Sequence, residues 1–214
     1  MGKAEENKRQ KKTRLLETAF QLFTTKGTSQ TSISDIASAA GVGKGTFYLY
    51  FRDKNDIEAR LIARRADQIF SHALETLEHH EEQLLTFGDK IIVIVDDVLT
   101  QLQNNHLILR FINKNLSWGV FRSAIMDLST DEEFTCYTAL RQLLLQGQEE
   151  WDEPDLLLYS IIELTSSTCY SIILREDPVP MDTYRRYLNR YIRNIIAVHE
   201  KKPSPSPENP TISE

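Results

Sequence analysis

Residues 41–54 read GVGKGTFYLYFRDK, with Gly41, Gly43 and Gly45 set around Lys44. Glycines flanking a lysine suggest a loop that grips phosphate, and the question is which phosphate. A nucleotide-binding P-loop requires G-x-x-x-x-G-K-[S/T] between a buried strand and a helix. Here Lys44 is followed by Gly45, and Ala39 and Ala40 occupy the region of the missing upstream glycine. The dinucleotide pattern G-x-G-x-x-G fails as well, because Thr46 stands where its third glycine belongs. The preceding segment, SDIASAA at 34–40, has helical and not strand periodicity.

Working outward, the glycine stretch is the second half of a helix-turn-helix. Leu15, Leu16, Ala19, Phe20 and Phe23 form one face of a helix over 10–24, stopped by Gly27. Ser32 is placed to cap a second helix, with Asp35 completing the reciprocal cap imperfectly because it is shorter than glutamate. Ile33, Ile36, Ala37 and Ala40 give that helix its apolar face, and Gly41 turns the chain where positive φ is needed. Val42 plugs the turn, and a third helix runs from about Gly43 to Leu49 with Phe47 toward the core. A long fourth helix follows from Lys54 to Glu78, capped by Asp53 or Asn55.

A second helix of this motif enters the DNA major groove by its N-terminal end. Gly43 and Gly45 keep its leading face thin for backbone approach, and Lys44 and Thr46 point outward to bases or phosphates. Tyr48 and Tyr50 can donate to phosphate oxygens, although their residue type fits half-buried packing equally well. Thr31 and Ser32 at the start of the second helix are further phosphate candidates, as is the Lys54 ammonium at the start of the fourth.

The charge distribution agrees with a polyanionic partner for one end of the chain. The 214 residues carry a net charge of -6, yet the first sixty hold eleven basic residues against seven acidic ones. A basic head therefore sits on an acidic body. The opening MGKAEENKRQKK lacks an apolar signal segment, and IIVIV at 91–95 is too short to span a bilayer, so a cytoplasmic location is expected. Cys136 and Cys169 lie far apart in apolar helical patterns and read as buried free thiols. HHEE at 79–82 lacks helical ligand spacing and reads as surface loop, so no metal or other cofactor is expected. The five histidines sit on polar or terminal stretches with no nucleophile–base constellation, so no enzyme activity is expected.

Helical patterns continue near 84–103, 106–116, 118–127, 131–149, 154–175 and 180–199, broken by capping residues and prolines. The expected fold class is all-α, with about nine or ten helices. The division is a flexible basic terminus over 1–9, a DNA-binding domain over 10–54, a helical body over 55–200 and a proline-rich disordered tail over 201–214. Helix 154–175 is apolar on most sides and the stripe on 180–199 is wide, so both need more cover than one neighbour supplies. Leu157, Ile161, Leu164, Tyr184, Leu188, Tyr191 and Ile195 are the candidate contacts with a second copy.

The segment from Thr13 to Leu61, and within it AFQLFTTKGTSQTSISDIASAAGVGKGTFYLYFRDKNDI, resembles the DNA-binding domain of the TetR family of bacterial transcriptional regulators. It departs from the family pattern in Gly43, where serine is usual, and in Leu49, where histidine or tyrosine is common; the leucine reads as neutral. The resemblance covers about fifty residues. It implies a two-fold homodimer built on a four-helix bundle of the last two helices, a palindromic DNA operator, and repression released by a small, mostly apolar or amphipathic effector. A pocket of that kind would lie among helices 84–175, with Phe111, Asn115, Trp118, Phe121, Tyr137, Glu163 and Tyr170 as candidate lining residues. Ordinary core packing is the competing reading for those aromatics, and for Glu163 exposure to solvent or to the other subunit. Alternatives at the level of the chain are a helical adaptor, or an activator-type regulator without a ligand.

Overall fold

The computed structural model describes residues 2–80, 86–112, 136–146 and 150–201. The described residues form helices and no strand: α1 (Lys3–Thr25), α2 (Ile33–Ala39), α3 (Lys44–Tyr48), α4 (Lys54–Glu78), α5 (Phe87–Asn104), α6 (His106–Ile112), α7 (Cys136–Gln146), α8 (Pro154–Arg175) and α9 (Met181–His199). An isolated antiparallel bridge joins Trp151 and Glu200. The all-α expectation holds. The first helix, however, begins at Lys3, seven residues before the predicted start, so the stretch expected to be a flexible terminus is helical. The candidate residues Asn115, Trp118 and Phe121 lie outside the described residues, as do the side chains of Cys136 and Tyr137 and the tail beyond Lys201.

Two hydrophobic cores organise the chain. The head core gathers Leu15, Leu16, Ala19 and Phe23 of α1, Ile36, Ala37 and Ala40 of the α2 segment, Phe47 and Phe51, and Ile57 and Leu61 of α4. The body core begins one residue later on α4, at Ile62, and continues through Ile69, Ala73 and Leu77 into α5, α6, α7, α8 and α9. The fourth helix thus serves both cores. Asp53 starts it by accepting the Asp56 N–H at 2.8 Å. Asp56 in turn accepts the Arg52 N–H at 2.8 Å and the Arg60 Nε–H at 3.1 Å. Burial alone would raise its pKa, but these donors and the two guanidinium charges outweigh it and hold the carboxyl below its usual range.

A second tie between head and body is made by Phe111 on α6. Its ring meets Phe20 edge-on at 5.3 Å and stacks on Phe23 at 6.3 Å. Phe111 packs against both cores, so its predicted place in an effector pocket is corrected: the ring reaches out of the body and into the head. Arg65 of α4 lies over the other side of this junction, 4.3 Å from the Phe20 ring centre and 3.0 Å from Glu17.

In the body, Asp97 of α5 is the polar hub facing α4. It accepts from Thr76 at 3.1 Å and from Gln101 at 2.6 Å, and it meets His72 Nδ1 at 3.0 Å. Ion pairs Arg185–Asp96 and Arg193–Asp89 join α9 to α5. The hydrogen bond to Asp97 and its negative charge raise the His72 pKa above the ordinary imidazole value. A raised folded-state pKa stabilises the fold fully below the unfolded value, and the gain is lost as pH rises through the folded value. Thermal melting from pH 6 to pH 9 should therefore show a loss of stability above the ordinary histidine range that is reduced in Asp97→Asn. Equal pH dependence in the two proteins would rule out this link.

Candidate DNA-binding surface and outer helix faces

The turn between α2 and α3 is fixed by backbone hydrogen bonds. The Val42 N–H donates to the Ala37 carbonyl at 3.0 Å and the Gly41 N–H to the Ser38 carbonyl at 3.0 Å, with Gly41 at φ 65°. This is the Schellman closure of α2, and glycine suits its left-handed position. At the other end of α2, the Ser32 hydroxyl accepts the Asp35 N–H at 3.1 Å while the Asp35 carboxylate accepts the Ser32 N–H at 2.8 Å. The capping box is complete, and the expectation that aspartate is too short for it is corrected. The Ser32 bonds hold the Asp35 carboxyl below its usual pKa range.

One buried ring aims the third helix. Phe47 is fully buried and its ring lies tilted against that of Phe51, 5.4 Å between ring centres. Gly43, Lys44, Gly45 and Tyr48 then face outward, and Thr46 is partly covered. Tyr50 is half-buried against the head core, which favours the packing alternative for that residue, whereas Tyr48 is 51% exposed. The five-residue helix thus presents a short row of small and polar groups to solvent. A Cβ placed on Gly43 or Gly45 would meet nothing within 4 Å, so neither glycine serves internal packing.

Two of the predicted phosphate contacts are corrected. Thr31 is 1% exposed, and its hydroxyl donates to the Gly27 carbonyl at 2.9 Å, so it ties the α1–α2 connection together. The Lys54 ammonium donates to the carbonyls of Thr28 at 2.7 Å and Thr31 at 3.2 Å. It locks the start of α4 to that same connection instead of standing free for a phosphate. Ser32 remains on the surface with its hydroxyl in the cap. Sequence reasoning missed both locks, because each depends on carbonyls brought together by folding.

The outer faces of α8 and α9 need a larger correction. Leu157, Ile161, Tyr184 and Leu188 belong to the core of this one chain and offer no surface to a second copy. Tyr184 hydrogen-bonds Thr168 at 2.6 Å, and burial pushes its hydroxyl up to about 12. Leu164 and Ile195 are partly covered by the same core. Of the proposed contacts, Tyr191 is exposed, and it is joined on the outside by Leu156, Tyr159, Tyr187 and Val198. Within the wide apolar stripe of α9, Met181, Tyr184, Leu188, Ile192 and Ile196 are the residues that face inward. Cys169 is buried, with its thiol pushed up to about 11 by desolvation, as expected for an inert core cysteine. Glu163 and Tyr170 are both half-buried on α8, and Tyr170 packs on the body core. Among the described residues, no group of three or more His, Cys, Asp or Glu side chains is arranged to hold a metal ion.

Residues 15–61 match the model of the bacterial regulatory proteins of the tetR family. An uncharacterised HTH-type transcriptional regulator of Bacillus subtilis, YvdT, is 37% identical over 82 residues, which cover 37% of this chain and 40% of that protein. The fatty acid metabolism regulator protein of the same organism is 29% identical over 99 residues, covering 46% of this chain and 49% of the relative. The matches thus span less than half the length of these two relatives. The crystal structure of the transcriptional regulator FadR from Bacillus subtilis in complex with stearoyl-CoA has the same fold, with a TM-score of 0.51 and 18% identity over 87% of this chain and 96% of that one. The head, over residues 15–61, thus carries the sequence of the tetR family of bacterial regulatory proteins, and the described helices share the fold of that solved regulator.

Proposed function

We propose that the protein is a cytoplasmic repressor that binds a palindromic DNA operator as a homodimer and is released by a small, mostly apolar or amphipathic effector. The observation that carries this reading is the outward row on α3, where bare backbone and Lys44 stand together on a helix anchored from behind by Phe47. A thin helix of this kind reaches base edges and phosphates at once. The electrostatic share of such binding depends on basic residues, so affinity falls steeply with salt.

The homodimer is supported by the outer faces of the last two helices. Helix α8 is long and apolar enough to cross a membrane by length and composition, and only 28% of its most apolar stretch is buried within the chain. Together with exposed Tyr187, Tyr191 and Val198 on α9, it leaves an apolar surface that a second copy can cover. Two recognition helices about one DNA turn apart would then read two half-sites. An apolar effector is supported by the relative that regulates fatty acid metabolism and by the similar fold that carries stearoyl-CoA. Release follows when the effector binds more tightly to a state in which the heads no longer match the operator.

The decisive test is binding of duplex DNA taken from around the gene itself. Specific, salt-sensitive binding is expected, and Lys44→Ala should weaken it by about 10-fold to 100-fold while leaving helix content and melting unchanged. Unaltered specific binding in that variant would remove α3 as the recognition element. Adding stearoyl-CoA should release the DNA; retention across a panel of acyl-CoA chain lengths would exclude this effector class.

For the dimer, the double variant Leu156→Arg, Tyr191→Arg should sediment as a folded monomer with lost operator binding. A variant that still sediments as a dimer would place the interface elsewhere.

A further inference from the structure

Among the described residues, the head exposes two large apolar side chains, Tyr48 and Leu49, and both belong to the end of α3. Leu49 is 78% exposed, more than Tyr48, and has no hydroxyl to justify its place in water. Its backbone is still helical, at φ -72° and ψ -21°. At 100° per residue, Gly45 and Leu49 differ by about 40° around the helix, and both lie nearly opposite Phe47. The fully buried ring therefore fixes which line of α3 faces outward, and that line consists of a missing side chain followed by an apolar one.

Gly45 is unexplained by anything inside the chain. It has no positive φ, and a Cβ there would touch nothing within 4 Å. Glycine within a helix is less favourable than alanine, so its presence on this line points to a surface that must come close from outside. The exposed leucine one turn further on points the same way. Lys44 beside them gives that approaching surface its sign: an anionic partner with an apolar spot in it. Duplex DNA offers this combination in the major groove, where the C5-methyl of thymine is the one apolar group on the base edges.

We propose that Leu49, set beside the bare backbone of Gly45, is a specificity contact that selects a thymine methyl in each operator half-site. This rests on the DNA-binding reading above and adds a base preference to it. Lys44 and the helix backbone hold the groove by charge and hydrogen bonding, and the leucine distinguishes a methylated base edge from a bare one. Gly45 matters because a methyl group on that line would hold the helix away before Leu49 made contact.

The test begins with selection of an operator from a random duplex library by the full-length wild-type protein. Each thymine of a half-site is then replaced by deoxyuridine, which removes only the C5-methyl. Wild type should lose about threefold to fivefold in affinity at one thymine per half-site, the value of one buried methyl group. Leu49→Ala should bind the thymine operator more weakly by a similar factor and no longer distinguish it from the uridine form. Gly45→Ala should melt about 1–4 °C higher and yet bind DNA less well, a combination that a purely structural glycine would not produce. A wild-type protein indifferent to every uridine, or a Leu49→Ala variant that keeps the full uridine penalty, would overturn the proposal while leaving DNA binding intact. Failure of the wild type to enrich any sequence would overturn both.

Discussion

The burial of the Phe47 ring is the interaction on which the rest of the head depends. A helix of five residues has too few hydrogen bonds to stand alone in water, so its existence is a tertiary effect. Phe47 supplies it by filling the space between α1, α2 and the start of α4, with Phe51 beside it. Truncating a ring buried this deeply costs about 3–5 kcal/mol in typical cores. Because helical geometry links every other residue of α3 to the direction of that ring, one apolar contact determines which groups meet solvent.

Around this anchor, charged and polar groups hold the connections and do less for the surface than their residue types suggest. Lys54 and Thr31 both close the α1–α2 connection onto the first turn of α4. Asp56 fastens the link between α3 and α4 through the Arg52 backbone. The turn after α2 is rigid for the same reason, since its free carbonyls are satisfied within the motif. The outward face of α3 is thus left to bare backbone, Lys44, Tyr48 and Leu49, while the Thr31 and Ser32 hydroxyls and the Lys54 ammonium are held in internal hydrogen bonds.

Much of this was legible in the sequence, and the limits have physical causes. The bounds of α4 and α8 were read correctly because long helices combine periodicity with clear caps: Asp53 before the first, Pro154 at the start of the second. Phe47 and Gly41 were legible because each residue type has few alternatives in that pattern. The faces of α8 and α9 were not. A helix apolar nearly all round gives no sequence signal for which side its own chain covers, so Leu157 and Leu188 were assigned to a partner when the body already buries them. Thr31 and Lys54 failed differently, because their partners are carbonyl oxygens that composition does not reveal. Leu49 was legible in principle: four residues after Gly45 and two after Phe47, its outward direction follows from helical spacing alone.

The fourth helix gives the chain a property that a division into head and body conceals. Leu61 is sealed in one core and Ile62, its neighbour in sequence, in the other. The register of a single rigid rod is therefore set twice, by two sets of side chains that are bridged at Phe111. Rotating or fraying that rod to relieve one core spoils the other, which couples their unfolding into one cooperative event. A boundary drawn at residue 54 would also cut through a packed unit, because Ile57 and Leu61 belong to the head. The head is better regarded as a lobe that borrows two turns of its neighbour's longest helix than as a module that could be lifted away intact.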